Sequence, residues 1–407
     1  MEYESRRKVQ SIILWTISFA LQYQVCFTDA RQLQNETGVP AESPTPSPSS
    51  YYFLVEGDPL QNGFISATVQ VGNGLKQFFL DIDTGSDLTW ITCSPTNIKF
   101  LKPLSLYPTP NDPYVTNDNL VSCVEASICG FVEKPINPQC SEQNQQCDYQ
   151  VEYADHGTTL GVLVEDSILL SSSLNGNPLQ STPNLTFGCG YHQEFSASLS
   201  PPFADGVLGL GSGETSILSQ LSGQGLIKKV MALCSSDKYG PGYLVLGDSL
   251  SNLPYITWRS LLNNPGEPNN MLGPVDILYD GENLLASQFQ FLLDSGTTYS
   301  YFSPIIYQAV LSQVKELAAQ EGTPVEGSVS SYLLEPTFLY NRRLVIYDYE
   351  NQKIGWSDTD CSDLPAQLAS IGPDTNSAKK RMGEWHKGED AGSWHMRKKR
   401  KQDLNSP

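Results

Sequence analysis

The stretch LDIDTGSDLTW, residues 80–90, carries three aspartates within seven positions: Asp81, Asp83 and Asp87. It ends an apolar, aromatic-containing segment that is typical of a β-strand. The Asp-Thr-Gly sequence within it is, taken alone, only a turn signal. Whether one of these carboxylates does chemistry therefore depends on whether it has a partner elsewhere in the chain.

A second copy of the motif supplies that partner. The segment FFLDIDTGS, residues 78–86, aligns with FQFLLDSGT, residues 289–297, so that Asp83 matches Asp294, 211 positions later. Each copy follows an apolar strand that contains aromatic residues. The repeat predicts that the same chemical group occurs once in each of two lobes.

The other two aspartates have no acidic counterpart in the second copy. Asp81 aligns with Leu292, and Asp87 aligns with Thr298. We therefore interpret Asp81 and Asp87 as structural or surface residues, and Asp83 as the aspartate that carries chemistry.

A pair of carboxylates explains why the motif occurs twice. Two carboxylates brought close together cannot both ionise, so they share one proton and titrate as a pair. One can then act as a general base while the other acts as a general acid at the same pH. Glycine allows the tight turn, and the hydroxyls can bind the outer carboxylate oxygens. The residues predicted to serve the pair in this way are Thr84, Gly85, Ser86, Ser295, Gly296 and Thr297.

Six motifs together resemble the pepsin-like aspartic endopeptidases, and within them the plant nucellin-like group. The resemblance covers about residues 58–361. It implies an all-β, bilobal fold with an active site between the lobes, in which Asp83 and Asp294 form the catalytic dyad. The motifs are DTGSDLTW at 83–90, CDYQVEYADHGTTLGVLVED at 147–166, FGCGY at 187–191, DGVLGLG at 205–211, DSGTTYSYF at 294–302 and LVIYDYENQKIGW at 344–356.

The resemblance also implies roles for residues around the dyad. Tyr153 matches the flap tyrosine that closes over substrate, and Trp90 matches the tryptophan that supports it. Segment 207–209 matches the apolar-apolar-Gly sequence that packs behind the first catalytic loop. An ordinary strand aromatic is the alternative for Tyr153, and core packing is compatible with the role of Trp90. The implied substrate is a polypeptide in the interlobe cleft, with no metal and no cofactor, and we expect a monomer.

Composition agrees with a turn-rich β protein that does not bind nucleic acid. Charged residues make up only 17% of the chain, whereas glycine and proline together number 59. These proportions are not those of a helical bundle or of a disordered chain. The net charge of −19 repels nucleic acid and anionic membranes.

The N-terminus is typical of a secretory signal. Basic residues 6–8 precede a short apolar segment, 12–21, that is too short to span a bilayer comfortably. A membrane anchor is the alternative. Sequons at Asn35 and Asn184 agree with a secretory route, as N-glycosylation sites. We expect an extracellular, apoplastic or vacuolar protein with no stable membrane span after removal of the signal.

The cysteine count also agrees with this route. Apart from Cys26, which lies in or beside the signal, an even number of cysteines remains, and in a secreted chain this predicts disulfides whose pairing the sequence does not fix. The disulfide candidates are Cys93, Cys123, Cys129, Cys140, Cys147, Cys189, Cys234 and Cys361.

Changes in composition predict the domain organisation. Residues 1–29 form the signal, and residues 30–57 form a Pro/Ser-rich linker or short pro-segment. An N-terminal β lobe follows over 58–225, then a C-terminal β lobe over 226–364, and a disordered basic tail over 365–407. The basic run at 397–401 is interpreted as solvated charge, with a nuclear signal as the alternative.

The second lobe is shorter than the first. From Asp83 to Gly209 the chain runs 126 residues, whereas from Asp294 to Cys361 it runs only 67. No apolar-apolar-Gly segment suited to support Asp294 follows it. We expect a missing block of strands in this lobe, and loss of a cysteine with that block would leave Cys234 or Cys361 unpaired.

Two functions follow from these patterns. The first is an aspartic endopeptidase that hydrolyses peptide bonds at acidic pH through a water activated by the Asp dyad. The alternative is a catalytically impaired isoform, or a non-enzymatic binding or inhibitor protein on the same fold. The intact pair of aspartates favours the first, and the short second lobe favours the alternative.

Overall fold

The computed structural model describes the chain from Ser50 to Met396 with several gaps. The signal segment and Asn35 lie outside the described residues. The described residues are 50–57, 64–106, 108–124, 126–133, 145–154, 156–172, 180–194, 204–235, 242–253, 255–262, 270–279, 282–283, 288–297, 301–320, 343–359, 361, 364 and 393–396.

The fold is mainly β-structure, as the sequence predicts. Alternating burial explains the strands: in Ser66–Val71 every second side chain is buried, so one face of the strand meets the core. The strands up to the first glycine-rich segment are β1 Ser50–Glu56, β2 Ser66–Val71, β3 Lys76–Asp83, β4 Trp90–Ser94, β5 Tyr114–Val115, β6 Asp148–Glu152, β7 Thr158–Ser167, β8 Leu170–Ser171, β9 Gln180–Ser181, β10 Asn184–Glu194 and β11 Gly206–Gly209.

The remaining strands follow the first α-helix. They are β12 Val230–Ser235, β13 Gly242–Gly247, β14 Thr257–Ser260, β15 Met271–Tyr279, β16 Glu282–Asn283, β17 Phe289–Leu292, β18 Arg343–Asp348, β19 Lys353–Asp358 and β20 Ser393–Met396.

One large sheet in the described residues joins strands from both halves of the chain. Its order is β14-β19-β18-β12-β13-β1-β2-β3-β11-β4-β10-β7-β6, with β5 paired to β4. The strand β1 links the two halves, because it pairs antiparallel with both β13 and β2. It places Ser50–Glu56 inside the sheet, within the range 30–57 for which the sequence predicted a linker.

The strand β3, which ends at Asp83, is held on both sides. It pairs antiparallel with β2 and parallel with β11. The segment that was predicted to lie behind the first catalytic loop is β11, and in it Gly209 pairs with Asp83. The backbone at Asp83 is therefore fixed by a central position in the sheet.

A second, smaller sheet carries the other copy of the motif. It has the order β16-β15-β17, and β20 also pairs with β15. The tail was predicted to be disordered, and this is wrong for Ser393–Met396, which runs parallel to β15 residues Asp276–Tyr279. This four-residue segment, SWHM, lacks the Lys and Arg residues around it and contains a tryptophan, so it suits an added strand.

The strands that precede the two copies of the motif differ in the number of neighbouring strands with which they pair. In the described residues β17 pairs with β15 and with no other strand, whereas β3 has partners on both sides. This asymmetry agrees with the shortened second lobe. The loss of a block of strands stays a prediction, since residues 321–342 are not described.

Apolar residues at helical spacing in segments 214–225 and 304–320 predict two helices, and both are present. The helix α1, Ile217–Gly223, is shorter than its predicted range, because the Ser216 side chain accepts the Ser219 N–H and caps the helix there. The helix α2 spans Pro304–Gln320, with Pro304 at its first position. In the described part of the chain, no helix has the length and apolar character needed to cross a membrane.

Disulfides staple the fold, as the cysteine count predicted. The pairs are Cys93–Cys189, Cys129–Cys147 and Cys234–Cys361. Cys123 is also disulfide-bonded, and Cys140 lies outside the described residues. The expectation that Cys234 or Cys361 would be unpaired is wrong, because both are fully buried and bond to each other.

Candidate active site

The two motif loops meet back to back, and four hydrogen bonds join them. The Thr84 N–H donates to the Ser295 hydroxyl at 3.0 Å, and the Ser295 N–H donates to the Thr84 hydroxyl at 3.0 Å. The Thr84 hydroxyl also donates to the Leu293 carbonyl at 3.4 Å, and the Ser295 hydroxyl donates to the Ile82 carbonyl at 2.7 Å. Both residues are almost fully buried, so these bonds fix the loops without competition from water.

Thr84 and Ser295 were predicted to bind the carboxylates, and their side chains instead bind the opposite loop. The turn geometry explains this difference, since consecutive residues of a turn point in different directions. Residues two and three positions after each aspartate face its carboxylate. The pattern is the same in the two copies.

The Asp83 carboxylate accepts two local hydrogen bonds. The Gly85 N–H donates to Oδ1 at 2.8 Å, and the Ser86 hydroxyl donates to Oδ2. Both donors belong to the same loop as the aspartate. The first carboxylate is thus held in one orientation by its own loop.

The Asp294 carboxylate is held by the equivalent pair of donors. The Gly296 N–H donates to Oδ1 at 2.9 Å, and the Thr297 hydroxyl donates to Oδ2 at 2.8 Å. A hydroxyl therefore lies on one oxygen of each carboxylate, as the sequence predicted. Such donors hold a carboxylate plane in place and favour its ionised form.

Each glycine faces the carboxylate of the other copy. A Cβ on Gly85 would lie 2.6 Å from Asp294 Oδ2, and a Cβ on Gly296 would lie 2.6 Å from Asp83 Oδ1. Real Cβ atoms do not approach other atoms so closely, so glycine is required at both positions. The carboxylates approach each other across a gap that any side chain here would fill.

Burial and the neighbouring carboxylate change the acidity of Asp83. Burial of the carboxyl, and next the charge of Asp294, raise the pKa of Asp83 from 3.8 to about 7. The bonds from Ser86 and Gly85 oppose this shift, and a hydrogen bond between the two carboxyls adds to it. A proton shared by the pair accounts for this behaviour.

Asn270 also joins the two loops, and the sequence did not reveal it. Its buried side-chain amide donates to the Thr84 carbonyl at 3.1 Å and to the Leu293 carbonyl at 2.6 Å. It precedes β15, in a polar stretch with no motif. Only the three-dimensional contact between distant segments identifies its role.

Tyr153 and Trp90 come together next to the dyad. Tyr153 lies at the tip of the β6–β7 hairpin, where its N–H donates to the Gly157 carbonyl at 2.8 Å. The Trp90 indole Nε1–H donates to the Tyr153 hydroxyl oxygen at 2.7 Å. Burial, and next the charge of Asp83, raise the pKa of the Tyr153 hydroxyl well above its ordinary value.

Two of the remaining predicted residues lie away from the dyad. Asp87 accepts a hydrogen bond from the Gly213 N–H at 2.7 Å, which is the structural role that the sequence predicted. Asn184, a predicted glycosylation residue, is exposed at the start of β10.

Asp81 also lies beside the dyad. Burial, and next the charges of Asp83 and Asp294, raise its pKa well above the ordinary value. Its Oδ1 is buried and has no hydrogen-bond partner in the described residues, while the residue as a whole keeps partial solvent exposure. The interpretation of Asp81 as a structural or surface residue stays a prediction.

Sequence comparisons identify relatives of known class. An aspartic proteinase of Oryza sativa subsp. indica is 34% identical over 281 residues, which are 68% of this chain and 65% of the relative. The relative named "Aspartic proteinase 36", of Arabidopsis thaliana, is 26% identical over 371 residues, 74% of each chain. The family described as "Xylanase inhibitor N-terminal" matches residues 66–248.

These relatives support membership of the pepsin-like aspartic protease family. Solved structures agree at the level of the fold. Basic 7S globulin from soybean superposes with a TM-score of 0.55 at 16% identity, over 78% of this chain and 99% of that one. The protein edgp gives 0.57 at 16% identity, over 81% and 97%. The bilobal all-β fold of the pepsin-like family is therefore that of this chain.

The similarity to the rice protein covers only part of that relative. The chain spans 65% of the length of that protein. In the bilobal pepsin-like fold, the loops that carry Asp83 and Asp294 meet where the two lobes join. The geometry there supports carboxylate chemistry, and the disulfides are consistent with an oxidising compartment.

Proposed function

We propose that this protein is an aspartic endopeptidase that hydrolyses peptide bonds at acidic pH. The observation that carries the proposal is the reciprocal approach of the glycines to the carboxylates. Gly85 lies against Asp294, and Gly296 lies against Asp83, so that the two carboxyls face each other with no side chain between them. This arrangement is what two carboxyls need in order to share one proton.

The proposed mechanism uses the two carboxyls in complementary states. The ionised member takes a proton from a water molecule as that water attacks the peptide carbonyl carbon. The protonated member donates its proton to the developing oxyanion, and the amine takes a proton back as the C–N bond breaks. The electrostatic stabilisation of the tetrahedral intermediate supplies a large part of the rate enhancement.

The raised pKa of Asp83 supports this assignment. A carboxyl with a pKa of about 7 keeps its proton at acidic and mildly acidic pH. Asp83 is therefore the proposed proton-bearing member in the free enzyme. The pair loses its shared proton as the pH rises, so activity should fall towards neutral pH.

The hairpin that carries Tyr153 is the proposed flap. Its tyrosine hydroxyl lies within hydrogen-bonding distance of the Trp90 indole, and its pKa is affected by Asp83, so the side chain extends towards the dyad. Closure of such a hairpin over a bound peptide excludes water and orients the scissile bond. The substrate is then a polypeptide in the cleft between the lobes.

Cleavage of a denatured protein at about pH 4, with and without pepstatin, tests the proposal. We expect pepstatin-sensitive cleavage by the parent protein, and none by Asp83→Asn or by Asp294→Asn. Glu165→Gln is the matched control, because it removes an exposed carboxylate from β7. Folded protein that lacks pepstatin-sensitive cleavage would contradict the proposed activity.

Location and assembly are part of the same proposal. A disulfide-stapled protease with an acidic pH range suits the secretory pathway, with the extracellular space, the apoplast or the vacuole as its destination. We propose that it acts as a monomer. Size-exclusion chromatography with light scattering, and detection of glycans on Asn184, test these points.

A binding or inhibitor protein is the second candidate. One observation favours it: the family that matches residues 66–248 is described by the name of an inhibitor. The edge position of β17 among the described strands, next to Asp294, also suits a chain whose second lobe no longer supports catalysis. A stable complex with a plant cell-wall hydrolase, formed equally well by Asp83→Asn, would support this candidate over the protease.

A further inference from the structure

We propose that Asp81 is a specificity-determining residue that binds a cationic substrate side chain, lysine or arginine, next to the scissile bond. The inference rests on the proposed endopeptidase function, and it adds the class of substrate. Nothing in the repeat points to it, since the second copy of the motif has Leu292 at the matching position.

The sheet places Asp81 on the same face as Asp83. Both lie on β3, two residues apart, and side chains alternate along a strand, so the two carboxylates point to one side at a spacing of about 7 Å. Asp81 pairs with Ser66 on one neighbouring strand and with Val207 on the other. Directly paired residues share a face, so these side chains flank Asp81.

Paired residues on the neighbouring strands connect Asp81 with the Tyr153 hairpin. Val207 pairs with Trp90 on β4, and the Trp90 indole holds the Tyr153 hydroxyl. The charge of Asp81 also contributes to the raised pKa of Tyr153. Asp81 therefore lies near both the dyad and the flap tyrosine, where a side chain beside the scissile bond would enter.

The Asp81 carboxyl has a hydrogen bond to the Ile82 backbone, but one of its two oxygens has no partner in the described residues. Its Oδ1 is buried and unpaired, and none of the ion pairs of the described residues includes it. The residue as a whole keeps partial solvent exposure. A buried, unpaired carboxyl oxygen destabilises the empty site, and the cost disappears when a ligand supplies a donor.

The charges around Asp81 select a cation over a neutral donor. The ionisable groups that act on it are Asp83 on its own strand and Asp294 on the facing loop, both acidic, and Tyr153 of the hairpin lies close to Asp83 and Asp81. An ammonium or guanidinium group would bind the unpaired oxygen and offset the repulsion among these carboxyls. It would also favour the ionised form of Asp81.

An apolar side chain in this position would leave the carboxyl unpaired and more fully desolvated. Sites built around a polar group discriminate strongly against analogues that lack its partner. We therefore expect a preference for lysine over its apolar isostere of at least about tenfold in kcat/KM.

Paired peptides provide the test. Each pair is identical except for one residue flanking the scissile bond, which is lysine in one member and norleucine in the other, and both flanking positions are sampled. The ratio of kcat/KM for the two members is measured for the parent, Asp81→Leu, Asp81→Asn and Glu165→Gln. Binding of reduced-amide versions of the same peptides is measured by calorimetry, which does not depend on turnover.

We expect the lysine-to-norleucine ratio to fall at least about tenfold in Asp81→Leu, with Asp81→Asn between it and the parent, at one flanking position. The ratio should be unchanged in Glu165→Gln, which loses an exposed carboxylate outside the dyad. Asp81→Asn keeps the shape of the side chain, so it provides the result if the leucine variant does not fold.

Two outcomes would overturn the inference, and they distinguish a wrong role for Asp81 from a wrong protease function. If the peptides are cleaved or bound but the ratio stays within about twofold of the parent in both Asp81 variants, the role of Asp81 is wrong and the protease function stands. If the folded parent protein neither cleaves nor binds any of the peptides, the proposed function is wrong and the inference falls with it.

Discussion

Thr84 and Ser295 exchange hydrogen bonds across the two motif loops, each giving its N–H to the hydroxyl of the other at 3.0 Å. The two residues are 211 positions apart, and they connect the loops that carry Asp83 and Asp294. This exchange therefore helps to fix the position of one carboxyl relative to the other.

Removal of one hydroxyl from this pair should destabilise the protein. In Thr84→Ala the buried Ser295 N–H loses its acceptor and the Leu293 carbonyl loses a donor, at a cost of about 1–3 kcal/mol in the free energy of unfolding. Urea denaturation measures the change. Thr84→Ser keeps the hydroxyl and should recover most of the loss, and equal destabilisation by both variants would show that the methyl group matters instead.

A methyl group on either motif glycine should abolish cleavage. Gly85→Ala would bring a Cβ within 2.6 Å of Asp294 Oδ2, and Gly296→Ala would bring one within 2.6 Å of Asp83 Oδ1, so the carboxyls must separate. We expect kcat to fall by at least about a hundredfold, since a small displacement of catalytic groups has a large effect on rate.

Gly74→Ala is the matched control for these two variants. A Cβ at Gly74, in the turn between β2 and β3, would meet nothing within 4 Å. It should leave cleavage at the parent level, as measured by initial rates on one peptide. Retained activity in Gly85→Ala would contradict the face-to-face arrangement of the two carboxyls.

The stability of the protein should fall as the pH rises from about 4 to about 7. The folded-state pKa of Asp83 is about 7, above its ordinary value of 3.8, so the native state binds more protons than the unfolded state in this window. Linkage then lowers the free energy of unfolding with increasing pH, by a total on the order of 4 kcal/mol from this group.

The variant Asp83→Asn isolates this effect, because asparagine does not titrate. Its free energy of unfolding, from urea curves at several pH values, should vary less with pH than that of the parent. The advantage over the parent should be largest near pH 7 and vanish below 3.8. A parallel dependence in parent and variant would show that Asp83 is not the group responsible, while Glu165→Gln should keep the parent slope.

The fold and the dyad were accessible from sequence because both depend on local patterns. The apolar, aromatic-containing segment before Asp83 predicted β3, and the repeated Asp-Thr-Gly and Asp-Ser-Gly sequences predicted the pairing of Asp83 with Asp294. The role of Asn270 was missed, because it arises from contacts between distant segments. Asp81 has no counterpart in the repeat, so the comparison that identified Asp83 says nothing about what surrounds Asp81, and its interpretation as a structural or surface residue stays a prediction.

The C-terminal tail shows a second limit of prediction from sequence. Composition predicts disorder for residues 365–407, and most of that range lies outside the described residues. The short segment Ser393–Met396 nevertheless pairs with β15, since an open strand edge can accept any extended segment. Average composition over a long range does not detect a four-residue strand.

The contact between Trp90 and Tyr153 should set the efficiency of cleavage more than the stability of the fold. Tyr153→Phe removes the acceptor of the Trp90 Nε1–H, which lies 2.7 Å from the hydroxyl oxygen, and leaves the hairpin tip less well positioned over the cleft. We expect kcat/KM to fall by roughly tenfold or more, with a loss in unfolding free energy of about 1 kcal/mol. Tyr52→Phe is the matched control, because its hydroxyl bonds Ser249 at 3.1 Å on a different part of the sheet. It should reduce stability by a similar amount without changing kcat/KM, and an equal effect of the two variants on cleavage would contradict a flap role for Tyr153.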